Sequence, residues 1–326
     1  MAEEGFYLET KSLGLLSKVC HALLLQSQQT ATLLPSHSAF VLHAVGATRT
    51  YEATATIDRG GGLTDVHSLM TQGEMTQHTR TDGSSLRDDL REESALYTPL
   101  TVFRPTSRAI SFRLDMLSHV LTTCSEKSVA QSVSICASSS PVCSLDVLVN
   151  AQDQFMRATL AVLDGGDAEA RRIPMPPQVP VRIVVKPRPI HDALQAVLAS
   201  KVGSVTLGCQ PVARGQDSPG GYYLYLHAPT SSGYTRVKLA VSGTPGQNWT
   251  VPDRSLVSRR VAHPYPVEGL RALLPSLKGS KEALVRVSEQ GILCVTSLVR
   301  ATSSGHEGHA GGSALIETRI LPLTDS

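Results

Sequence analysis

The order of elements along this chain runs twice, and few folds can accommodate such a duplication. A short strand at 6–10 leads into an amphipathic stretch at 13–25. There Leu16, Val19, Cys20, Leu23 and Leu24 follow the i, i+3, i+4, i+7 spacing of a helix with one buried face. Strand-like runs follow at 30–34, 39–45 and 51–57, then at 96–103 and 110–114. A second helix is predicted over 115–124, with Met116, Leu117, Val120, Leu121 and Cys124 on one face and Asp115 as its N-cap. Strands at 132–137, 144–150 and 154–163, alternating or rich in β-branched residues, close the first half. The second half repeats this order. A strand at 181–186 precedes a helix that can begin at Pro189, with Ile190, Leu194, Val197 and Leu198 as its stripe. Strands follow at 204–209, 222–227, 234–241 and 257–262. A short helix at 266–274 presents Leu270, Leu273 and Leu274, and Pro275 should end or kink it. Three strands, at 283–288, 292–299 and 314–321, close the chain. Two helices among many antiparallel strands, in each half, make the class α+β rather than a doubly wound α/β sheet.

The division into halves is marked by composition. Residues 164–180 contain Gly165, Gly166, Pro174, Pro176, Pro177 and Pro180, the make-up of an interdomain connector. The reading is therefore a first domain at 1–163, a connector at 164–180 and a second domain at 181–326, within a 326-residue chain long enough for both. Inside the first domain, 59–94 is polar, rich in Gly, Thr and charge, and aperiodic, and reads as a mobile insertion. Residues 303–312 form a smaller Gly/His loop between the last two strands.

Charge is unevenly spread. Residues 1–180 hold 14 basic and 19 acidic side chains, whereas 181–326 hold 16 basic and 9 acidic. A positive second half suits a polyanion such as DNA, and ordinary surface variation would produce the same imbalance. The six cysteines, Cys20, Cys124, Cys136, Cys143, Cys209 and Cys294, show no C-x-x-C spacing and mostly sit in apolar stretches. They read as reduced, buried thiols of a cytosolic or nuclear protein rather than a disulfide framework. Residues 1–7 carry two glutamates and no apolar run, so no signal peptide is expected. No apolar run approaches the roughly 20 residues of a membrane span, and no membrane partner is expected.

Motifs for catalysis are weak. His306 and His309 lie three apart in a Gly-rich loop, whereas a zinc-protease helix needs them four apart with a Glu between, so a solvated loop is expected there. Gly60-Gly61-Gly62 and Gly165-Gly166 lack phosphate-loop spacing, and no G-x-S-x-G elbow occurs. Asp88, Asp89, Glu92 and Glu93 cluster inside the insertion, where a mobile segment cannot hold acid–base or metal geometry. The expectation is a non-enzymatic protein with no metal and no cofactor. A DNA exonuclease, the alternative of another class, would need clustered carboxylates on ordered elements.

Basic and imidazole side chains gather on the polar sides of the helices. Lys18 and His21 lie away from the stripe of the first helix, and His119 lies opposite that of the second. Arg188 precedes the third helix, Arg271 flanks the stripe of the fourth, and Lys278 and Lys281 follow it. Such faces are either solvated surface or the lining of a channel around a DNA backbone, which needs cations and no base-reading geometry.

This order of elements resembles the DNA sliding clamps of the PCNA type, whose subunits have two similar domains, each with two helices packed on a curved, mainly antiparallel sheet. The best-matching pieces are 12–22 (SLGLLSKVCHA) leading to 39–44 (AFVLHA), 109–121 (AISFRLDMLSHVL), and 283–300 (ALVRVSEQGILCVTSLVR) followed by 315–323 (LIETRILPL). Within that superfamily the chain is most similar to the Rad-one subunit of the nine-one-one checkpoint clamp. It departs from the pattern in the long insertion and in Pro275. The resemblance implies a nuclear, heterotrimeric ring around double-stranded DNA, closed head to tail through edge strands. It implies two other clamp subunits, a clamp loader, and checkpoint and repair proteins as partners, with DNA bound without sequence specificity. The helix residues named above would face that DNA. A partner peptide would dock beneath the connector, near Ile173, Met175 and Ile320. A homotrimeric processivity clamp of the same fold is the alternative.

Overall fold

The structure, a computed structural model, describes residues 6–58, 100–106, 108–127, 130–137, 144–151, 155–163, 172–200, 202–211, 222–241, 256–257, 260–300 and 312–324. In the first half the elements are β1 (Tyr7–Thr10), α1 (Leu13–Leu23), β2 (Thr30–Leu34), β3 (Ala39–Val45), β4 (Tyr51–Asp58), β5 (Leu100–Arg104), β6 (Ile110–Arg113), α2 (Leu114–Lys127), β7 (Ala130–Ala137), β8 (Ser144–Ala151) and β9 (Phe155–Leu163). The second half contains β10 (Val181–Val185), α3 (Pro187–Leu198), β11 (Ser204–Pro211), β12 (Tyr222–Thr230), β13 (Gly233–Val241), β14 (Leu256–Val257), β15 (Val261–Pro266), α4 (Val267–Lys278), β16 (Ser280–Val287), β17 (Leu293–Arg300) and β18 (Ser313–Ile320). Among the described residues both halves read strand, helix, five strands, helix, three strands.

Pairing repeats along with order. In the first half β1 lies between β5 and β7, and β2 between β3 and β6, all antiparallel. Their counterparts do the same: β10 lies between β14 and β16, and β11 between β12 and β15. The halves also differ in pairing. The end of β9 pairs with β6 through Ser111↔Leu163 and Phe112↔Val162. In the second half the counterpart of that pairing is one bond beyond β18, from the Leu323 N–H to the Pro264 carbonyl at 2.8 Å.

Two compact units emerge from the chain's internal contacts. One holds Met1–Ala44, Thr54–Arg171 and Leu298–Ile316; the other holds Val45–Ala53, Arg172–Ser297 and Glu317–Ser326. The units thus exchange two short segments relative to a cut at the connector, whose described part, 172–180, has neither helix nor strand. The insertion at 59–94 and the loop at 303–311 lie outside the described residues.

In each unit a helix pair covers a sheet, α1 with α2 and α3 with α4. The stripes read for two helices are the buried ones: Leu16, Val19, Cys20 and Leu23 in α1, and Ile190, Leu194, Val197 and Leu198 in α3. In α2, Leu117, Leu121 and Cys124 are buried, but Met116, expected on the same face, is 49% exposed. Burying each Leu or Val removes an apolar side chain from water, worth about 1.5–3 kcal/mol. Four local expectations need correction. The first helix stops at Leu23, where Leu24 and Leu25 turn back onto the carbonyls of His21 and Leu23. Asp115 is inside the first turn of α2 rather than its N-cap. β6 runs straight into α2, the Leu114 N–H is taken by the Gln29 carbonyl at 2.8 Å, and Arg113 holds the Asp115 carboxylate at 2.8 and 2.6 Å. The 257–262 run is two strands, β14 and β15. Pro275 does not end α4, which continues to Lys278 because its buried stripe does: Ser276 and Leu277 are interior. The Ser276 and Ser280 hydroxyls donate to the Leu273 and Leu277 carbonyls at 3.0 and 3.1 Å, serving part of the helix end.

Candidate functional site

The outward faces of the four helices carry the residues expected to meet DNA. On α1, His21 is exposed, but Lys18 is only half-exposed and its ammonium donates to the Arg300 carbonyl at 3.1 Å. A carbonyl partner leaves the charge intact while restricting its reach. On α2, His119 is exposed beside Met116, Thr122 and Thr123. Arg188 stands in the first turn of α3, its side chain 92% exposed, within 3.8 Å of the Asp192 carboxylate one turn on. On α4, Arg271 and Lys278 are exposed, with Glu268 on the same outer side. Lys278 is the last residue of this helix, and Lys281 lies on β16, so Lys281 is not a helix residue. Interleaved carboxylates make these faces weakly rather than densely positive. Such a surface suits loose backbone contact and cannot read bases.

The connector residues form a different kind of site. Ile173 is buried, Ile320 is fully buried, and of the three groove residues only Met175 is partly accessible. Ile320 is a core side chain: a Cβ added at Gly269 would come within 2.8 Å of it. A peptide groove lined by Ile173 and Ile320 is therefore not what these side chains provide. Their neighbours instead form a clasp that sequence reading did not reveal. The Glu52 carboxylate accepts the Ile173 N–H at 3.0 Å, and the Arg319 guanidinium donates to the Ile173 carbonyl. Arg319 also lies 3.8 Å from Glu52 and bonds Glu317 at 2.8 Å through Nε. Glu317 in turn accepts from Arg286 at 2.6 Å. Two arginines and two glutamates thus balance in charge, and both backbone groups of one connector residue are held.

The two glutamates differ electrically. Burial pushes the Glu52 carboxyl above the usual carboxylate range, against the opposing pull of the Ile173 N–H and of Arg319. Burial also raises Glu317, but Arg319 and Arg286 together outweigh it and hold Glu317 below that range. The signal available in the sequence was a pair of charges, Glu317 and Arg319, alternating with Ile316 and Ile320 in the final strand, and Glu52 in another. Charges on a strand face that other parts of the chain cover require partners.

Among the described residues no three His, Cys, Asp or Glu side chains are grouped as a metal ion would need. His306, His309 and the 88–93 carboxylates lie outside those residues, as does Cys143. Cys20, Cys124, Cys136, Cys209 and Cys294 are free thiols, and burial pushes Cys20, Cys209 and Cys294 up to about 12. Protonated thiols of this kind are poor nucleophiles. No described helix is long and apolar enough to cross a membrane.

No protein-family model matches the chain, and no curated protein does. Solved structures do. The crystal structure of proliferating cellular nuclear antigen from Entamoeba histolytica is similar over 99% of this chain and 100% of its own, with a TM-score of 0.63 at 10% sequence identity. The chain has the PCNA-like α+β clamp fold: among the described residues, antiparallel sheets with two helices in each half.

Proposed function

We propose that this chain is a non-enzymatic subunit of a ring that encircles double-stranded DNA and serves as a platform for other proteins. The observation that carries the reading is a fold match spanning both chains end to end, on a protein whose two halves share one order of elements. The pairing pattern supports assembly. β4 lies beside β18, with the Leu321 N–H bonded to the Thr50 carbonyl at 2.7 Å in the second unit. In the repeat, β13 and β9 hold the places of β4 and β18. Among the described residues β13 ends its sheet, and β9 has a second neighbour only at Val162 and Leu163. Joining β13 of one subunit to the β9 place of the next would repeat the β4–β18 pairing head to tail and cover both edges. The outward helix faces would then offer Lys18, His21, His119, Arg188, Arg271 and Lys278 to the DNA backbone.

The finer reading is a nuclear, heterotrimeric checkpoint ring of the nine-one-one kind. This chain stands in the Rad-one position, put onto DNA by a clamp loader and bound by checkpoint and repair proteins. Its support is the similarity of the pieces at 12–22, 39–44, 109–121, 283–300 and 315–323 to that subunit. A homotrimeric processivity clamp is the second reading, since the fold serves both. Isolation from the native source with stoichiometric partners, followed by mass measurement in solution and retention on closed circular DNA, tests all of this. Two different partners and release on linearising the DNA are expected. A stable homotrimer of the isolated chain would favour the second reading. Metal-dependent nuclease activity that survives stringent purification would overturn both.

A further inference from the structure

The sheet formed by β13, β12, β11 and β15 has one face against α3, lined by the buried side chains Leu224, Leu226 and Ala228. Its other face carries three diagonal pairs between β12 and β13. The Tyr234 ring lies 5.3 Å from His227, the Arg236 guanidinium 5.1 Å above Tyr225, and the Lys238 ammonium 4.3 Å above Tyr223. Tyr225 in turn lies flat over Gly208, where a Cβ would come within 2.3 Å of the ring. Arg236 and Lys238 are thus held in place by rings, and neither has a carboxylate partner among the described residues. β11, β12, β13 and β15 contain no Asp or Glu at all. Among the described residues β13 is also the end strand of its sheet, and Tyr234 on it is 70% exposed.

We infer that the free edge of β13 takes an extended segment of a different polypeptide that carries carboxylates at alternate positions. Three features converge on that occupant. An unpaired edge offers backbone N–H and C=O groups, which only another peptide strand can use. Arg236 and Lys238 are two residues apart on a strand, so their charges stand roughly 7 Å apart, the spacing of alternate side chains in an added strand. Stacking on tyrosine pre-orders both cations, so binding an anion costs little further side-chain freedom. A second copy of this chain supplies no carboxylate on its matching edge strand. Its own candidate edge strand, β9, reads FMRATLAVL, with no carboxylate and with Arg157, which is already bonded to Asp146 at 2.7 Å. Like charges across a strand pair are unfavourable. The inference deepens the ring reading: the segment would be an edge strand of the neighbouring subunit, and this sheet face would select that neighbour against self.

The test uses the full chain and synthetic peptides read by fluorescence anisotropy, with amide hydrogen exchange to locate binding. The probes are a peptide alternating glutamate with valine, the same peptide with glutamine for glutamate, the chain's own 155–163 sequence, and a single-stranded oligonucleotide. The glutamate peptide should bind, protect residues 233–241 from exchange, and lose about tenfold in affinity with the Arg236→Gln/Lys238→Gln variant. Should that variant fold poorly, the glutamine peptide makes the same comparison on unaltered protein, and it should bind about tenfold more weakly. Equal binding of the glutamine or the 155–163 peptide, protection elsewhere, binding of the oligonucleotide alone, or no binding would each overturn the inference. In that last case the cations would merely keep the edge unpaired. The ring reading fails separately. Absence of a DNA-encircling assembly leaves the peptide result standing, whereas a ring that assembles undiminished with Arg236→Gln/Lys238→Gln removes the inference and leaves the ring.

Discussion

Replacing Arg319 with methionine removes the one cation that touches Glu52, Glu317 and the Ile173 carbonyl together. Methionine keeps much of the apolar stem, so the loss is mainly electrostatic. Glu52, whose side chain is 2% exposed, then loses its nearest cation, with only the more distant Arg172 left to oppose its burial, and the Ile173 carbonyl loses the Arg319 donor. Breaking one side of a buried pair costs about 3–5 kcal/mol because the remaining charge is uncompensated. At about 2–4 °C per kcal/mol, the melting temperature should fall by roughly 10 °C. Adding Glu52→Gln removes the stranded charge and keeps an acceptor for the Ile173 N–H, so the double variant should recover about 2 kcal/mol of the loss. The pH response separates the two carboxylates by sign. Glu317 has a lowered pKa in the fold, so its contribution is present above the ordinary carboxylate range and is lost as pH falls through it. Glu52 has a raised pKa, so its contribution is greatest at low pH and is lost as pH rises past that range. Without Arg319 the Glu52 carboxyl is pushed further up. The stability gap between Arg319→Met and the unaltered protein should therefore narrow between pH 7 and pH 5. Denaturant titrations at the two pH values measure this. A single variant within about 1 kcal/mol of the parent, or no recovery in the double variant, would refute the clasp as the reason these charges are buried.

Other consequences can be checked independently. Gly208→Ala puts a methyl into the Tyr225 ring, so it should cost about 1–3 kcal/mol in denaturant titrations and should weaken binding of an acidic strand to β13. Pro275→Ala restores an N–H inside α4 for the Arg271 carbonyl and should raise stability by about 1–3 kcal/mol in the same assay; a loss would mean the proline ring is needed for packing. Reversing charge at Lys18 and Arg188 should weaken DNA retention by the assembled ring and flatten its salt dependence, with assembly intact by light scattering. Unchanged, salt-independent retention would remove these helix faces from the DNA path.

Helices and most strands of this protein could be read from its sequence because each is written in one local period. The i, i+3, i+4 stripe of Leu16, Val19, Cys20 and Leu23 and the alternation of β8 need no knowledge of what they pack against. What local period cannot carry is the response to a partner distant in sequence. Asp115 has the character of an N-cap, yet Arg113 and the join with β6 place it one step inside the helix. Pro275 carries a stop signal, but the interior positions of Ser276 and Leu277 override it. Ile173 and Ile320 suit a groove by polarity and become core because Glu52, Arg319 and Gly269 come from elsewhere in the chain to meet them.

The same reasoning explains where function should be sought in a duplicated fold. Positions that repeat between the halves are held in common by packing, so the informative ones are those where the halves part. Among the described residues β4 has a strand beside it on both sides, whereas β13, at the same place in the repeat, has one on a single side. β4 accordingly carries Glu52, on the face opposite Ala53, Ala55 and Ile57, into a clasp with Ile173 and Arg319, while β13 carries two cations on tyrosine rings with no carboxylate partner among the described residues. An internal junction must balance its charges within the chain. An external one can leave the balance to the neighbour, and an unbalanced edge is then a specification of which neighbour fits.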